Sequence, residues 1–208
     1  MQSIRFKLLE FIGIFILIPL SYILDYPIFI KFSIGCLGFV YVLFVLLRIE
    51  HVKFKIAKNL HWRHFFRRVL IQLSVIAFLT VLYVWFMDKS QLFYVMLNKP
   101  FFWLLLLLIY SSLSVYPQEL VYRTFFFERY KNMFKSQTVF VIVNALVFSL
   151  AHLFFKNTLV LIMTFIGGIL FALTYLKTKS TVMVSVEHAI YGCWLFTVGM
   201  GDMLGFPN

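Results

Sequence analysis

Charged residues are scarce in this 208-residue chain. Only 13% of the residues are Asp, Glu, Lys or Arg, whereas 62% are hydrophobic and the mean hydropathy is +0.94. A soluble domain of this length exposes many side chains to water and cannot hide so much apolar surface. Lipid as the solvent removes that conflict. The composition therefore excludes a soluble protein and predicts a membrane protein without a sizeable soluble domain.

Cysteine is scarcer still, because the chain has only Cys36 and Cys193. Both lie in apolar stretches, and they form neither a metal-ligand pattern nor a disulfide framework. The sequence also lacks internal repeats, low-complexity tracts and a linker long enough to separate domains. We therefore expect a single membrane domain over residues 1–208.

Long apolar runs are what the sequence does have, and seven of them approach the length of about 20 residues that a membrane-spanning helix needs. They predict an all-α fold, a polytopic transmembrane helical bundle of about seven spans. The first run has no small-residue cleavage site after it and further spans follow, so we expect it to be a retained helix rather than a signal peptide. The predicted spans are 7–24, 29–48, 68–88, 101–127, 138–155, 158–176 and 180–200.

Basic residues, 19 against 8 acidic ones, concentrate in alternate loops. With seven spans every strongly basic segment falls on one side, which predicts a cytoplasmic N-terminus and an external C-terminus. The net charge of +11 then reflects topology, so no nucleic-acid partner is expected. The 49–67 loop, which is both basic and aromatic, is expected to lie as an interfacial helix on anionic membrane lipids. The basic residues of these segments are Arg5, Lys7, Arg48, Lys53, Lys55, Lys58, Arg63, Arg67, Arg68, Arg129, Lys131, Lys135, Lys177 and Lys179.

Few ionisable residues fall inside the predicted spans, where they are costly and usually functional. Glu119 and Arg123 are four residues apart and are expected to contact each other as an ion pair on one helix face, although such a pair can also do no more than let a helix insert. Pro117 lacks an N–H, which breaks the helix locally and leaves room for a water. Glu10 is expected to reach the interface from the start of the first span.

Two histidines lie in later spans, His152 late in the fifth and His188, after Glu187, early in the seventh. Either one alone fits a histidine that is merely hydrogen-bonded to a neighbouring helix. Together with Glu119 they suggest a carboxylate that takes a proton from water and imidazoles that position the water or stabilise an oxyanion. Zinc held by these three residues is an alternative, but the His-Glu-x-x-His signal of metalloproteases is absent. We expect no cofactor and no catalytic metal.

Three short motifs within residues 100–200 resemble those of the CPBP family, the CAAX-protease and bacteriocin-processing membrane proteins, also called the Abi family. The family's first motif is Glu-Glu-x-x-x-Arg, its second is Phe-x-x-x-His, and its third is a His followed four residues later by Asn or a similar polar residue. Each motif is weak alone, but their order, spacing and placement in successive spans are specific. The matching residues are Gln118, Glu119, Arg123, Phe148, His152 and His188.

This resemblance implies a catalytic core at residues 100–200 and an intramembrane glutamic endopeptidase, a hydrolase that carries out intramembrane proteolysis. Eukaryotic members remove the last three residues of prenylated CAAX proteins, and others are tied to bacteriocin immunity or peptide maturation. The implied partners are membrane lipids and a peptide or protein substrate that can be lipidated, and the implied location is a bacterial inner membrane. The resemblance also implies that a Glu and His152 activate water while His188 stabilises the oxyanion.

Two positions depart from the family's pattern. Gln118 replaces the first Glu, and an amide cannot take a proton near neutral pH. Either Glu119 has taken that role, or the protein is a non-hydrolytic relative, or position 118 has been substituted. Gly192 replaces the third-motif Asn, so Tyr191 is the candidate for the missing oxyanion donor.

The leading hypothesis is a membrane peptidase in which Glu119, His152 and His188 share one polar cavity open to the cytoplasm. Gln118 lies about 100° around the helix from Glu119, so both can border that cavity. One alternative is a non-catalytic immunity or peptide-binding factor that uses the same cavity. Another is a small transporter with a Glu/His proton relay, although such a transporter should show broken helices in two related halves and only one break is found.

Overall fold

The computed structural model describes residues 3–52 and 61–205, and this part of the chain contains helices and turns but no strand. Within it, six helices are long and apolar enough to cross a membrane. The prediction of an all-α polytopic bundle with about seven spans is confirmed, and the chain is an integral membrane protein. The six helices are Ile28–Ile49, Trp62–Met87, Pro100–Met133, Gln137–Phe155, Thr158–Thr178 and Thr181–Val198.

The first predicted span, 7–24, overlaps a helical stretch at residues 4–21 that carries Arg5, Lys7 and Glu10 near its beginning and is not among these six helices. Ser3 caps its beginning, because the Ser3 hydroxyl accepts a hydrogen bond from the backbone N–H of Phe6. Its parts are α1 (Ile4–Ile12), a π-helical turn (Gly13–Leu17) and α2 (Ile18–Ser21).

The later elements follow in chain order, with π-helical turns inside several of the long helices. They are α3 (Ile28–Phe44) with a π-helical turn (Val45–Ile49), α4 (Trp62–Met87), α5 (Tyr94–Asn98), α6 (Pro100–Ile109) with a π-helical turn (Tyr110–Val115), α7 (Tyr116–Glu119) with a π-helical turn (Leu120–Phe125), α8 (Phe126–Tyr130), α9 (Gln137–Leu150), α10 (Thr158–Thr178) and α11 (Thr181–Val198).

The described residues fall into two compact units, and each is assembled from two separate parts of the chain. The first unit comprises residues 3–52 and 118–177, and the second comprises residues 61–117 and 178–205. The expected organisation as one membrane domain stays a prediction.

The start of α4 differs from the expectation for the 49–67 loop. The helix begins at Trp62, so residues 62–67 form its first turns and continue directly into the span that was predicted from residue 68. No Gly or Pro interrupts the sequence there, and basic side chains at a helix end can reach the headgroups while the helix continues. Residues 53–60, the remainder of the expected interfacial helix, lie outside the described residues.

Helix distortion surrounds Pro117. One π-helical turn precedes the short helix α7 that contains this proline, and another follows it. A proline removes one backbone donor and crowds the carbonyl one turn earlier, and the wider π turn is a common way to relieve that crowding. The local break that the sequence predicts next to Glu119 is therefore present.

Aromatic rings fill the core of the first unit. Phe15 on the first helix is fully buried, and its ring lies between 5.3 and 6.2 Å, centroid to centroid, from those of Phe125, Phe126 and Tyr130. The contacts are mostly edge-to-face, which is a favoured arrangement of aromatic pairs. This packing holds the first helix against the chain that follows Glu119.

A buried ion cluster lies beside that aromatic core. The Arg129 side chain is 1% exposed, and its Nε donates to Glu10 at 2.7 Å while Nη1 donates to Glu50 at 2.8 Å. The hydroxyls of Tyr41 and Tyr130 also donate to Glu10. The expectation that Glu10 reaches the interface stays a prediction, and the structure shows that its carboxylate is bound by a cation that the sequence assigned to a basic loop.

Hydrogen bonds between side chains join the apolar helices of the second unit. The Trp194 indole N–H on α11 donates to the hydroxyl of Thr80 on α4 at 2.9 Å. The Trp103 indole N–H on α6 donates to the hydroxyl of Thr197 on α11 at 3.0 Å. Hydrogen bonds of this kind join membrane helices where the hydrophobic effect cannot, and here they fix α11, the helix that carries His188.

Candidate active site

The carboxylate of Glu119 is held by Arg123. Nε of Arg123 lies 3.2 Å from Oε2 of Glu119, and neither side chain is exposed at all. The predicted ion pair is confirmed. In an apolar bundle such a pair is tolerated because each charge compensates the other, and the loss of either would leave an uncompensated buried charge.

Asn144 on α9 fixes the other side of Arg123. Its Oδ1 accepts from Nη1 of Arg123 at 2.9 Å, and its Nδ2 donates to the backbone carbonyl of Tyr122 at 2.6 Å. The same Nη1 donates to that carbonyl at 3.3 Å. The sequence reasoning missed Asn144, although a fully buried amide within an apolar span was the signal that could have revealed it.

Phe148 connects the first motif to the second. Its ring lies under the guanidinium of Arg123, 4.6 Å from Cζ to the ring centroid, and its centroid is 4.8 Å from that of His152. A guanidinium over an aromatic face is attracted by the ring's quadrupole, more strongly where water is excluded. Arg123, Phe148 and His152 therefore form one continuous row of contacts in the first unit.

His152 lies just beyond the end of α9 rather than within the helix, in the turn before a 3₁₀ turn at Leu153–Phe155. Its Nδ1 is 2.8 Å from the backbone carbonyl of Phe148. A carbonyl can only accept, so Nδ1 carries the hydrogen and Nε2 of the neutral ring carries the lone pair. The side chain is half-buried, and this tautomer suits it to accept a hydrogen bond from water.

In the second unit, Glu187 is fully buried among polar groups. Its Oε2 lies 3.4 Å from Nη2 of Arg68, and its Oε1 lies 3.2 Å from the hydroxyl of Tyr191. That hydroxyl also lies 2.8 Å from Oε1 of Gln72. The sequence reasoning missed Arg68 and Gln72, because both lie on α4, far from Glu187 in the sequence.

His188 lies on α11 with a tyrosine from a neighbouring helix beside it. The ring centroids of Tyr110 and His188 are 6.1 Å apart and the rings are nearly perpendicular, at 83°. One turn further along α11, the Tyr110 hydroxyl rests against Gly192 so closely that a Cβ built there would overlap it. Tyr110 was not among the residues that the sequence reasoning selected.

The candidate residues are thus divided between the two units. Gln118, which is half-buried, lies in the first unit with Glu119, Arg123 and His152, whereas His188 and Tyr191 lie in the second. Their convergence on one cavity stays a prediction, as do their catalytic roles. Among the described residues, no group of three or more His, Cys, Asp or Glu side chains forms a metal site.

Comparison with known proteins identifies the segment that carries most of these residues. The profile of the family described as "Type II CAAX prenyl endopeptidase Rce1-like" matches residues 100–194. The match spans all three motif regions and is consistent with the CPBP family. No curated protein and no solved structure matches the chain significantly.

Proposed function

We propose that this chain, whose residues 100–194 match the profile of the type II CAAX prenyl endopeptidase family, is an intramembrane endopeptidase. In this proposal Glu119 takes a proton from a water molecule, and that water attacks the carbonyl carbon of a peptide bond. The peptide C–N bond then breaks and the amine product receives a proton. No metal or other cofactor is required.

The observation that carries the proposal is the fully buried carboxylate of Glu119 on a helix that is long and apolar enough to cross a membrane. Its contact with Arg123 uses Oε2, and a carboxylate has about four lone-pair sites, so it can accept from a water as well. Arg123 is in turn held by Asn144 and Phe148. A base fixed in this way costs little reorganisation when the reaction begins.

His152 is proposed to share the same water. The tautomer set by the Phe148 carbonyl leaves Nε2 as an acceptor, so this nitrogen can orient the water before attack and hold a proton for the departing amine. His188 is proposed to donate to the oxyanion.

The proposed substrate is a peptide or protein segment that reaches the site from the bilayer, with a covalent lipid as one way of bringing it there. Apolar helices surround the site and give a lipid tail a favourable environment. The family resemblance favours a bacterial inner membrane, and the basic residues in alternate loops favour an N-terminus on the cytoplasmic side.

A second function rests on Gln118. The amide at this position cannot act as a base, and the protein would then be a non-catalytic membrane factor that binds a peptide, as in bacteriocin immunity. The two functions differ in a simple way, since the binding factor forms a complex with the peptide and releases no product.

The experiment is a cleavage assay on the purified protein in detergent and in liposomes. The probes are a peptide with a farnesylated cysteine near its C-terminus and the same peptide without the lipid. We expect Glu119→Gln to reduce kcat by at least about 100-fold, because a neutral amide replaces the base. The product fragments, identified by mass spectrometry, are the measurement.

Glu128→Gln is the matched control, because it makes the same chemical change on the same long helix at a partly exposed residue that pairs with Lys131. We expect it to keep the wild-type rate, and we expect a metal chelator to have no effect. Gln118→Glu, which restores the family's Glu pair, should change the rate. Equal turnover by Glu119→Gln and the wild type would remove Glu119 from the mechanism, and a peptide that is bound but never cut would favour the binding factor.

A further inference from the structure

The space around Gly192 is taken by a side chain from another helix. A Cβ built at Gly192 would overlap the hydroxyl oxygen and Cζ of Tyr110 and would lie 2.5 Å from its Cε1. Real Cβ atoms do not approach so closely, so any residue other than glycine would have to displace Tyr110. Gly192 is helical and buried, which means that this close approach, and not a special backbone angle, accounts for the glycine.

The place where the Tyr110 hydroxyl rests is chemically significant because His188 is four residues before Gly192. Residues four apart lie on the same face of a helix. The Tyr110 ring also meets the His188 ring directly, with centroids 6.1 Å apart. A phenol hydroxyl and an imidazole thus lie side by side along one face of α11, the hydroxyl about one helical turn beyond the histidine.

The local helix structure and the packing of the ring both hold the Tyr110 hydroxyl in this position. Tyr110 is the first residue of the π-helical turn Tyr110–Val115, at the junction with α6. The Tyr110 ring is wedged against Phe196 of α11 as well, with centroids 4.8 Å apart. Rings packed on two sides have little freedom, so the position of the hydroxyl is fixed before any ligand arrives.

We propose that Tyr110 is a catalytic residue whose phenol O–H, together with His188, donates a hydrogen bond to the carbonyl oxygen of a bound peptide. The inference rests on the proposed function for the catalytic step, where this oxygen becomes the oxyanion. It assigns the missing donor to Tyr110 rather than Tyr191, because the Tyr110 hydroxyl lies against Gly192, the position at which the third motif would have its polar residue. A phenol is a good donor to an oxygen that gains negative charge.

The test measures both cleavage and peptide affinity. Tyr110→Phe keeps the ring and removes only the hydroxyl, so it preserves the packing against His188 and Phe196. We expect kcat to fall about 100-fold or more, the usual effect of losing one oxyanion donor, while KM changes much less. Tyr116→Phe, the same change at an exposed tyrosine on the next helical turns, is the matched control and should keep wild-type values.

A rescue experiment separates the donor from the ring. Gly192→Asn alone should lower activity, because the new side chain collides with Tyr110. In the double variant Tyr110→Ala with Gly192→Asn, an amide donor fills the vacated volume, and we expect at least a tenfold recovery over Tyr110→Ala. The double variant Tyr110→Ala with Gly192→Ala fills the volume without a donor and should recover nothing.

The outcomes distinguish this inference from the function on which it rests. If Glu119→Gln abolishes cleavage while Tyr110→Phe cleaves and binds as the wild type does, the function stands and the donor assignment is overturned. If the wild type binds the peptide without cleaving it, the enzyme proposal fails, and a loss of affinity of several-fold in Tyr110→Phe still supports the carbonyl contact. If the wild type does not cleave the peptide and Tyr110→Phe binds it with the same affinity as the wild type, the donor assignment is overturned. The absence of any peptide binding by the wild type overturns it as well.

Discussion

Arg123 contacts several different kinds of chemical group at the candidate site. Its guanidinium meets a carboxylate, an amide oxygen, a backbone carbonyl and two aromatic rings, those of Phe148 and Phe171. Each contact satisfies or screens a different part of one cation. This arrangement explains how an arginine with no exposed surface is tolerated in a membrane bundle.

Removal of this cation should therefore be costly. We expect Arg123→Ala to lower the free energy of unfolding by about 3–5 kcal/mol, because it leaves Glu119 charged and uncompensated in the interior. Folded yield after detergent extraction and the unfolding midpoint are the measurements. Arg63→Ala, at an exposed arginine of α4, should change neither, and a normal yield for Arg123→Ala would contradict the structural role assigned here.

The residue types at this site could be predicted from sequence, but their neighbours could not. The spacing of Glu119 and Arg123 implies contact on any helix, and the structure contains it. Asn144 and Tyr110 come from other helices, and no spacing rule states which face of one span meets which face of another. The partner of Glu10 could not be predicted for the same reason, since Arg129 lies more than a hundred positions later.

At the level of helices, the first unit is joined by charge as well as by aromatic packing. Arg129 on α8 bonds Glu10 on α1 and Glu50 just after the π-helical turn that ends α3. Lys7 adds a donor to the Arg129 backbone carbonyl at 3.1 Å. Three stretches of chain that are remote in sequence thus meet at the guanidinium of Arg129. A guanidinium is planar and has five N–H donors, so it can bind several acceptors at once.

The ion cluster of Arg129, Glu10 and Glu50 gives a direct prediction about the stability of the protein. Arg129→Ala should destabilise the protein by about 3–5 kcal/mol, because two carboxylates would remain close together without their shared cation. Lys131→Ala removes an exposed cation two residues away that pairs with Glu128, and its effect should stay within about 1 kcal/mol. Denaturant titration in mild detergent compares the two, and similar losses in both variants would show that burial of Arg129 is unimportant.

The predicted ends of the spans agree closely with the helix ends in the structure where the hydrophobic pattern determines them. The agreement is poorer where basic residues border a span. The helices at 137–155 and 158–178 begin within a residue of the predicted positions. The helix at 62–87 begins six residues earlier than predicted, and the helix at 100–133 ends six residues later. At both places charged residues continue the helix beyond its apolar part, which hydropathy cannot detect.

For the whole molecule, the orientation in the membrane is the proposal most easily tested. In a variant with Cys36 and Cys193 replaced, Ser90→Cys should react with a membrane-impermeant maleimide added to intact cells, whereas Lys135→Cys should react only after lysis. Both positions are exposed. The expected difference follows from Lys131 and Lys135, which predict that their loop lies on the cytoplasmic side. The opposite labelling pattern would reverse the orientation.

The shared volume of Tyr110 and Gly192 also limits the order in which this protein can change during evolution. In a lineage that gains a larger residue at 192 while Tyr110 is present, the new side chain collides with the Tyr110 ring. A lineage that first loses the ring at 110 passes through an intermediate with an empty space and, under the proposal above, without the hydrogen-bond donor. We therefore expect the two positions to change together, because under that proposal either single change gives a less active form.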